Sequence, residues 1–211
     1  MDVFLIRHTV PAVEAGVCYG HLDVDVAPSF EVEADAILRT CRAENIGTGA
    51  VIISSPLKRC RVLAEFLAEQ LKLPITFDPR LRELDFGAWE GERWDEIDRA
   101  KSNFWTADVW NRAPPDGETC AELNCRVLAV LNELCASETA AAATTDKPAH
   151  QRVIMVSHAG PLRALVAHAL KLDAKNFPPF NVDIGRISKI SRANAMNSET
   201  EVRWTLQFLN R

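Results

Sequence analysis

The sequence predicts an α/β fold: a doubly wound, mostly parallel sheet flanked by helices, with an antiparallel strand late in the chain. Three observations carry this. Short apolar runs bounded by polar residues recur along the chain, stretches of helical periodicity separate them, and two of the runs end in a histidine. Such runs read as strands buried on both faces, the habit of parallel sheets, and their alternation with helices is the mark of a layered α/β architecture.

Taken in order, Val3-Phe4-Leu5-Ile6 is the first strand and runs straight into Arg7-His8-Thr9. A loop containing Gly and Pro leads to Pro28, and a helix is expected from about Ser29, a plausible N-cap, to Asn45. Ala50-Val51-Ile52-Ile53 is a second buried strand ending at Ser54-Ser55. Pro56 suits a helix first turn, and Leu57, Val62, Leu63, Phe66, Leu67 and Leu71 recur with helical spacing. Ile75-Thr76-Phe77 is a short third strand.

Residues 79–118 are irregular and hold Trp89, Trp94, Trp105 and Trp110. They read as an insertion with short helices over the C-terminal strand ends, within one domain spanning 1–211. A helix follows from about Thr119 to Cys135, and Ser137 to Asp146 reads as a low-complexity surface loop prone to disorder. Arg152-Val153-Ile154-Met155-Val156 is a fourth strand, ending in Ser157-His158-Ala159-Gly160, with a helix from Pro161 to about Leu170. Val202, Trp204, Leu206 and Phe208 alternate with polar residues as in a half-buried strand, with Ile187 and Ile190 on its partner and Asn194 to Ser198 as the turn.

Composition narrows the function. A net charge of −5 argues against a nucleic-acid or anionic-membrane surface, so any basic site is a local pocket. No window reaches the roughly 18 apolar residues that span a bilayer, and the chain is expected to be cytoplasmic. Six cysteines show no C-x-x-C pair or zinc spacing, and reduced thiols are expected. No cofactor or metal is expected. The oligomeric state is open, a homodimer included.

Four segments carry chemistry. Arginine offers a planar fork to phosphate oxygens and a neutral imidazole nitrogen can attack phosphorus, so Arg7-His8 at a strand tip suits phosphate. Arg59, in the first turn of the second helix, can point back to the strand ends. Ser157-His158-Ala159-Gly160 lets a phosphate approach backbone amides at a helix N-terminus. In Leu81-Arg82-Glu83-Leu84-Asp85-Phe86-Gly87-Ala88-Trp89-Glu90-Gly91 an apolar setting favours a protonated carboxyl, the state a general acid needs. Glu83, Asp85 and Glu90 all compete for that role.

In this order these motifs make the chain resemble the histidine phosphatase superfamily, the phosphoglycerate-mutase-like group, over nearly its whole length. The resemblance implies that His8 is the nucleophile that becomes phosphohistidine. It makes Arg7, Arg59 and His158 the phosphate cradle, and through the Leu-x-Glu-x-x-Phe-Gly-x-Trp-Glu-Gly pattern it selects Glu83 as proton donor. Thr9 and Val10 stand where the family commonly has Gly and Glu or Gln, a departure from its mutases.

Cys18-Tyr19-Gly20-His21-Leu22-Asp23 and Pro114-Pro115-Asp116-Gly117-Glu118-Thr119 are similar to segments of the α-ribazole phosphatase branch. The substrate so implied is a small phosphate monoester, α-ribazole 5′-phosphate, with Tyr19, Gly20 and Ala159 added to the binding residues and Tyr19 and Trp89 as pocket walls, a core position being the alternative for either. A broad small-molecule or phosphoprotein phosphatase and a phosphoglycerate mutase are the alternatives. A pocket for phosphoglycerate would present further cationic groups to the substrate carboxylate.

Overall fold

The computed structural model describes residues 1–46, 49–144, 151–173, 175, 180–194 and 202–211. Strands β1 (Asp2–Arg7), β2 (Ala50–Ser54), β3 (Ile75–Phe77), β4 (Arg152–Ser157), β5 (Ile187–Asn194) and β6 (Val202–Phe208) form one sheet in the order β3-β2-β4-β1-β5-β6. The first four are mutually parallel; β5 runs antiparallel to β1, and β6 antiparallel to β5.

Successive residues of a strand point to opposite faces, and both faces here are covered. Val3, Leu5, Val153 and Met155 pack in the core that holds Leu123, Val127, Leu162 and Leu165, residues of α4 (Cys120–Thr144) and α5 (Ala159–Ala169). Phe4, Ile6, Ile154 and Val156 pack on the other side against Ile37, Cys60 and Leu63 of α1 (Phe30–Ala43) and α2 (Lys58–Leu71). The unbroken apolar runs of β1 and β4 follow from this double coverage.

Between β3 and α4 the chain makes 3-10 turns at Pro79–Leu81 and Gly87–Trp89 and a short helix α3 (Arg99–Thr106). Ser157, at the tip of β4, donates from its hydroxyl to Leu81 O at 2.7 Å, so this insertion sits over the C-terminal strand ends, as expected. Among the described residues no helix is long and apolar enough to cross a membrane. All six cysteines are free.

Several boundaries differ from expectation. Ser29 holds the N-cap position of α1, but its hydroxyl donates to Glu33 and caps no amide. Pro56 precedes α2 rather than opening it; Leu57 is the cap, and its amide donates to the Ser55 hydroxyl in a local turn. Helix α5 begins at Ala159, two residues before Pro161, whose missing amide hydrogen costs nothing in a first turn. Ser137 to Thr144 is helix, not loop: α4 continues through it. The alanine run is a strong helix former, Ser137 and Thr139 bond back to Glu133 O and Cys135 O, and Glu138 pairs with Arg192 at 3.1 Å. The rest of that loop and the expected turn beyond Asn194 lie outside the described residues.

Leu81, at the start of the insertion, is wholly buried in the core. Leu81→Ala is expected to destabilise the protein by about 2–5 kcal/mol, read from denaturant midpoints, through lost burial and the cavity left behind.

Candidate active site

Two adjacent parallel strands bring the histidines together. Arg7 and Ser157 are register partners at the tips of β1 and β4, and His8 N donates to Ser157 O at 3.1 Å. The next residues, His8 and His158, therefore stand side by side, ring centroids 5.2 Å apart. They are 1% and 0% exposed. Arg59 enters from the first turn of α2, beside the tip of β2.

The hydrogen bonds set the tautomers. His8 Nδ1 lies 2.7 Å from Thr9 O, and a carbonyl only accepts, so Nδ1 carries the proton. That leaves the lone pair on Nε2, which has no hydrogen-bond partner among the described residues. In His158 the roles are reversed: Arg59 Nε donates to Nδ1 at 3.2 Å, and Nε2–H donates to the Ser55 hydroxyl at 2.9 Å. The Cys60 thiol adjoins the same nitrogen at 3.3 Å.

Burial lowers the pKa of His8 to about 3, with Arg59 and then Arg7 adding to it against the Thr9 carbonyl. His158 is held well below 6.5, again by burial first, then Arg59 and His8. Both rings are therefore neutral at pH 7. The neighbouring arginines disfavour the protonated rings, but desolvation is the larger cause.

Arg59 is 0% exposed and compensated by the backbone. Its Nη1 donates to Leu22 O at 2.9 Å and Nη2 to Gly20 O at 2.7 Å and Tyr19 O at 3.3 Å. Tyr19 lays its ring 5.2 Å from the guanidinium carbon. Gly20 thus orients Arg59 through its carbonyl, and a Cβ there would fall 2.1 Å from Leu84 O. Arg7 Nη1 donates to Val182 O at 2.7 Å, while its Nε is buried without a hydrogen-bond partner. The Thr9 hydroxyl is likewise buried and unpaired. A phosphate oxygen would satisfy such orphaned donors.

Contacts separate the three competing carboxylates. Glu90 accepts from the amides of His21, Leu22 and Phe86, and so ties down the 20–22 loop. Asp85 accepts from Gly87 N at 2.8 Å and pairs with His21 Nδ1 at 3.2 Å. Glu83 instead points to the tip of α5, accepting from Gly160 N at 3.0 Å and Leu84 N at 2.9 Å. A Cβ on Gly160 would lie 2.4 Å from Glu83 Oε1, so only glycine permits this approach.

Arg126 was not foreseen. From α4 it donates to Arg80 O, Arg82 O and Glu83 O at 2.6, 2.7 and 2.8 Å, and Glu118 holds it in a salt bridge. Its partners are backbone carbonyls 43 to 46 residues upstream, which leave no trace in local sequence.

A cavity of about 600 Å³ opens beside Glu83. Leu84, Phe86, Trp105, Val109 and Leu123 give it apolar walls, Ala159 and Gly160 reach it from α5, and Arg163 and Lys175 add cations. Trp89 is not a wall: it is 4% exposed and packs edge-on against Trp94 and Trp105. Arg163 was also missed, although an arginine in the mostly apolar Ala159–Ala169 helix was a visible signal. Among the described residues no cluster of His, Cys, Asp or Glu could hold a metal ion.

The sequence profile of the Histidine phosphatase superfamily (branch 1) matches residues 3–205. The chain belongs to that superfamily. This histidine phosphatase is 32% identical over 202 residues to a glucosyl-3-phosphoglycerate phosphatase of Mycobacterium tuberculosis, covering 90% of this chain and 85% of the relative. It is 36% identical over 180 residues to a probable phosphoglycerate mutase GpmB of Citrobacter koseri, covering 82% and 77%. A putative phosphoserine phosphatase 2 of Hydrogenobacter thermophilus is 27% identical, covering 99% and 95%. The α-ribazole phosphatase of Shigella flexneri superposes with a TM-score of 0.82 over 100% of this chain and 96% of that one. At 23% identity, that likeness shows the fold alone.

Two outcomes follow for the histidine phosphatase. Because the folded protein holds His8 near 3 against 6.5 for the free side chain, the unfolded state binds more protons between those values. Stability is full above about pH 6.5 and declines as pH falls toward 3; denaturant midpoints across that range measure it, with a shallower decline in His8→Asn. Gly160→Ala displaces the Glu83 carboxyl and should lower kcat/KM about a hundredfold while the protein still folds, as circular dichroism would confirm.

Proposed function

We propose that this histidine phosphatase hydrolyses small phosphate monoesters through a phosphohistidine on His8. The supporting observation is the neutral His8 ring with Nε2 left as its lone-pair nitrogen, set among Arg7, Arg59 and His158. His8 Nε2 attacks phosphorus; the N–P bond forms as the P–O bond to the alcohol breaks, and Glu83 gives its proton to the departing oxygen. Arg7 and Arg59 stabilise charge on the equatorial oxygens, and His158, whose Nδ1 accepts from Arg59 Nε, positions that guanidinium. A water then attacks phosphorus, Glu83 takes its proton, the N–P bond breaks and inorganic phosphate leaves. His8 is neutral again.

Transfer to water is what separates this reading from the mutase named for the Citrobacter koseri relative. α-Ribazole 5′-phosphate is the second substrate reading, favoured by Phe86 and Trp105 on the cavity wall, where a heterocyclic base would stack.

Acid-quenched labelling with a radiolabelled phosphate ester should give a phosphoenzyme in the wild type and none in His8→Ala; label persisting in the variant would reassign the nucleophile. Glu83→Gln should slow hydrolysis of alkyl phosphates by roughly 10²–10⁴ and that of p-nitrophenyl phosphate far less, since nitrophenolate departs without a proton.

A further inference from the structure

Resting on that reading, we propose that Arg163, with Lys175, forms an anion subsite that selects phosphate esters whose alcohol carries a carboxylate. The direction of the reaction places it. In-line displacement puts the departing oxygen opposite His8, on the side where Glu83 gives its proton. Whatever is bonded to that oxygen extends past Glu83, and the space on that side is the cavity lined by Glu83, Ala159, Gly160 and Arg163.

Arg163 is half-buried on α5, one turn beyond Ala159, and its Nη2 donates to Asn181 Oδ1 at 3.3 Å. It lines the same cavity as Glu83, and burial and Arg7 lower its pKa while Glu83 raises it. Lys175 adds an exposed second cation to the same lining. Two carboxylates also face the cavity. Asp108 is tied to the Asn111 amide and side chain, and Glu83 to the amides of Leu84 and Gly160. A planar guanidinium takes a carboxylate bidentately, and in a half-buried, apolar-walled cavity that pairing is weakly screened. A leaving group with a carboxylate close to its ester oxygen therefore fits better than a neutral alcohol or a heterocycle.

The test uses matched esters that differ only at the carboxylate: 3-phosphoglycerate against glycerol 3-phosphate, and O-phosphoserine against phosphoethanolamine. The wild type should favour the carboxylated member of each pair by about ten- to a hundredfold in kcat/KM. Arg163→Met should collapse both ratios toward one, mainly by raising KM for the acids, and Arg163→Lys should recover part of the preference. Equal turnover within the pairs overturns the subsite, as does an Arg163→Met loss that falls equally on both members or faster hydrolysis of α-ribazole 5′-phosphate than of either acid. The wild-type ratios decide the matter even where a variant folds poorly. No phosphate release from any ester, p-nitrophenyl phosphate included, with no phosphohistidine, would instead fail the hydrolase reading beneath it.

Discussion

The site depends on the in-register parallel pairing of β1 with β4. Six consecutive register pairs, from Asp2 with Arg152 to Arg7 with Ser157, end both strands at the same level. The residues that follow must then lie side by side, and each is a histidine. A slip of one residue would turn Val3 and Leu5 toward the α1–α2 layer and Phe4 and Ile6 toward α4–α5, exchanging both cores at once. Packing on both faces thus fixes the spacing of the two rings more firmly than any contact between them.

Around that pair the protein solves an electrostatic problem. It is acidic overall, the proposed reaction requires it to hold a phosphate dianion, and it buries Arg59 completely. A buried guanidinium without partners would be costly, and here the carbonyls of Tyr19, Gly20 and Leu22 supply them. The 19–22 loop is in turn held by Glu90 and by His21, whose ring bonds Glu83 O at 2.9 Å and pairs with Asp85. The acidic residues of the insertion are thus mostly scaffolding. Arg126 completes the frame by donating to the same Glu83 carbonyl that His21 meets.

Much of this was legible in sequence. The strands were visible as apolar runs because parallel strands are buried on both faces. Arg7, His8, Arg59 and His158 were visible because strand tips and a helix first turn are short-range features. Glu83 was legible only through family resemblance: Asp85 and Glu90 sit in the same apolar loop, and what separates the three is which amides each one meets. Ser137 to Thr144 was misread because low complexity and high helix propensity coincide in an alanine run. Trp89 stayed open in sequence because an aromatic in an irregular segment suits a core and a pocket wall equally; its burial decides for the core.

The chain by itself determined the α/β class, the order of its elements and which residues stand at the strand tips, since periodicity and adjacency are written locally. The tertiary structure alone decided the tautomers of His8 and His158, the partner of each carboxylate, the need for glycine at 160 and the cations beside the cavity. Those features rest on contacts between residues distant in sequence: Glu83 with Gly160, Arg59 with His158, Arg126 with the carbonyls before it. Burial and hydrogen-bond geometry exist only once those segments meet.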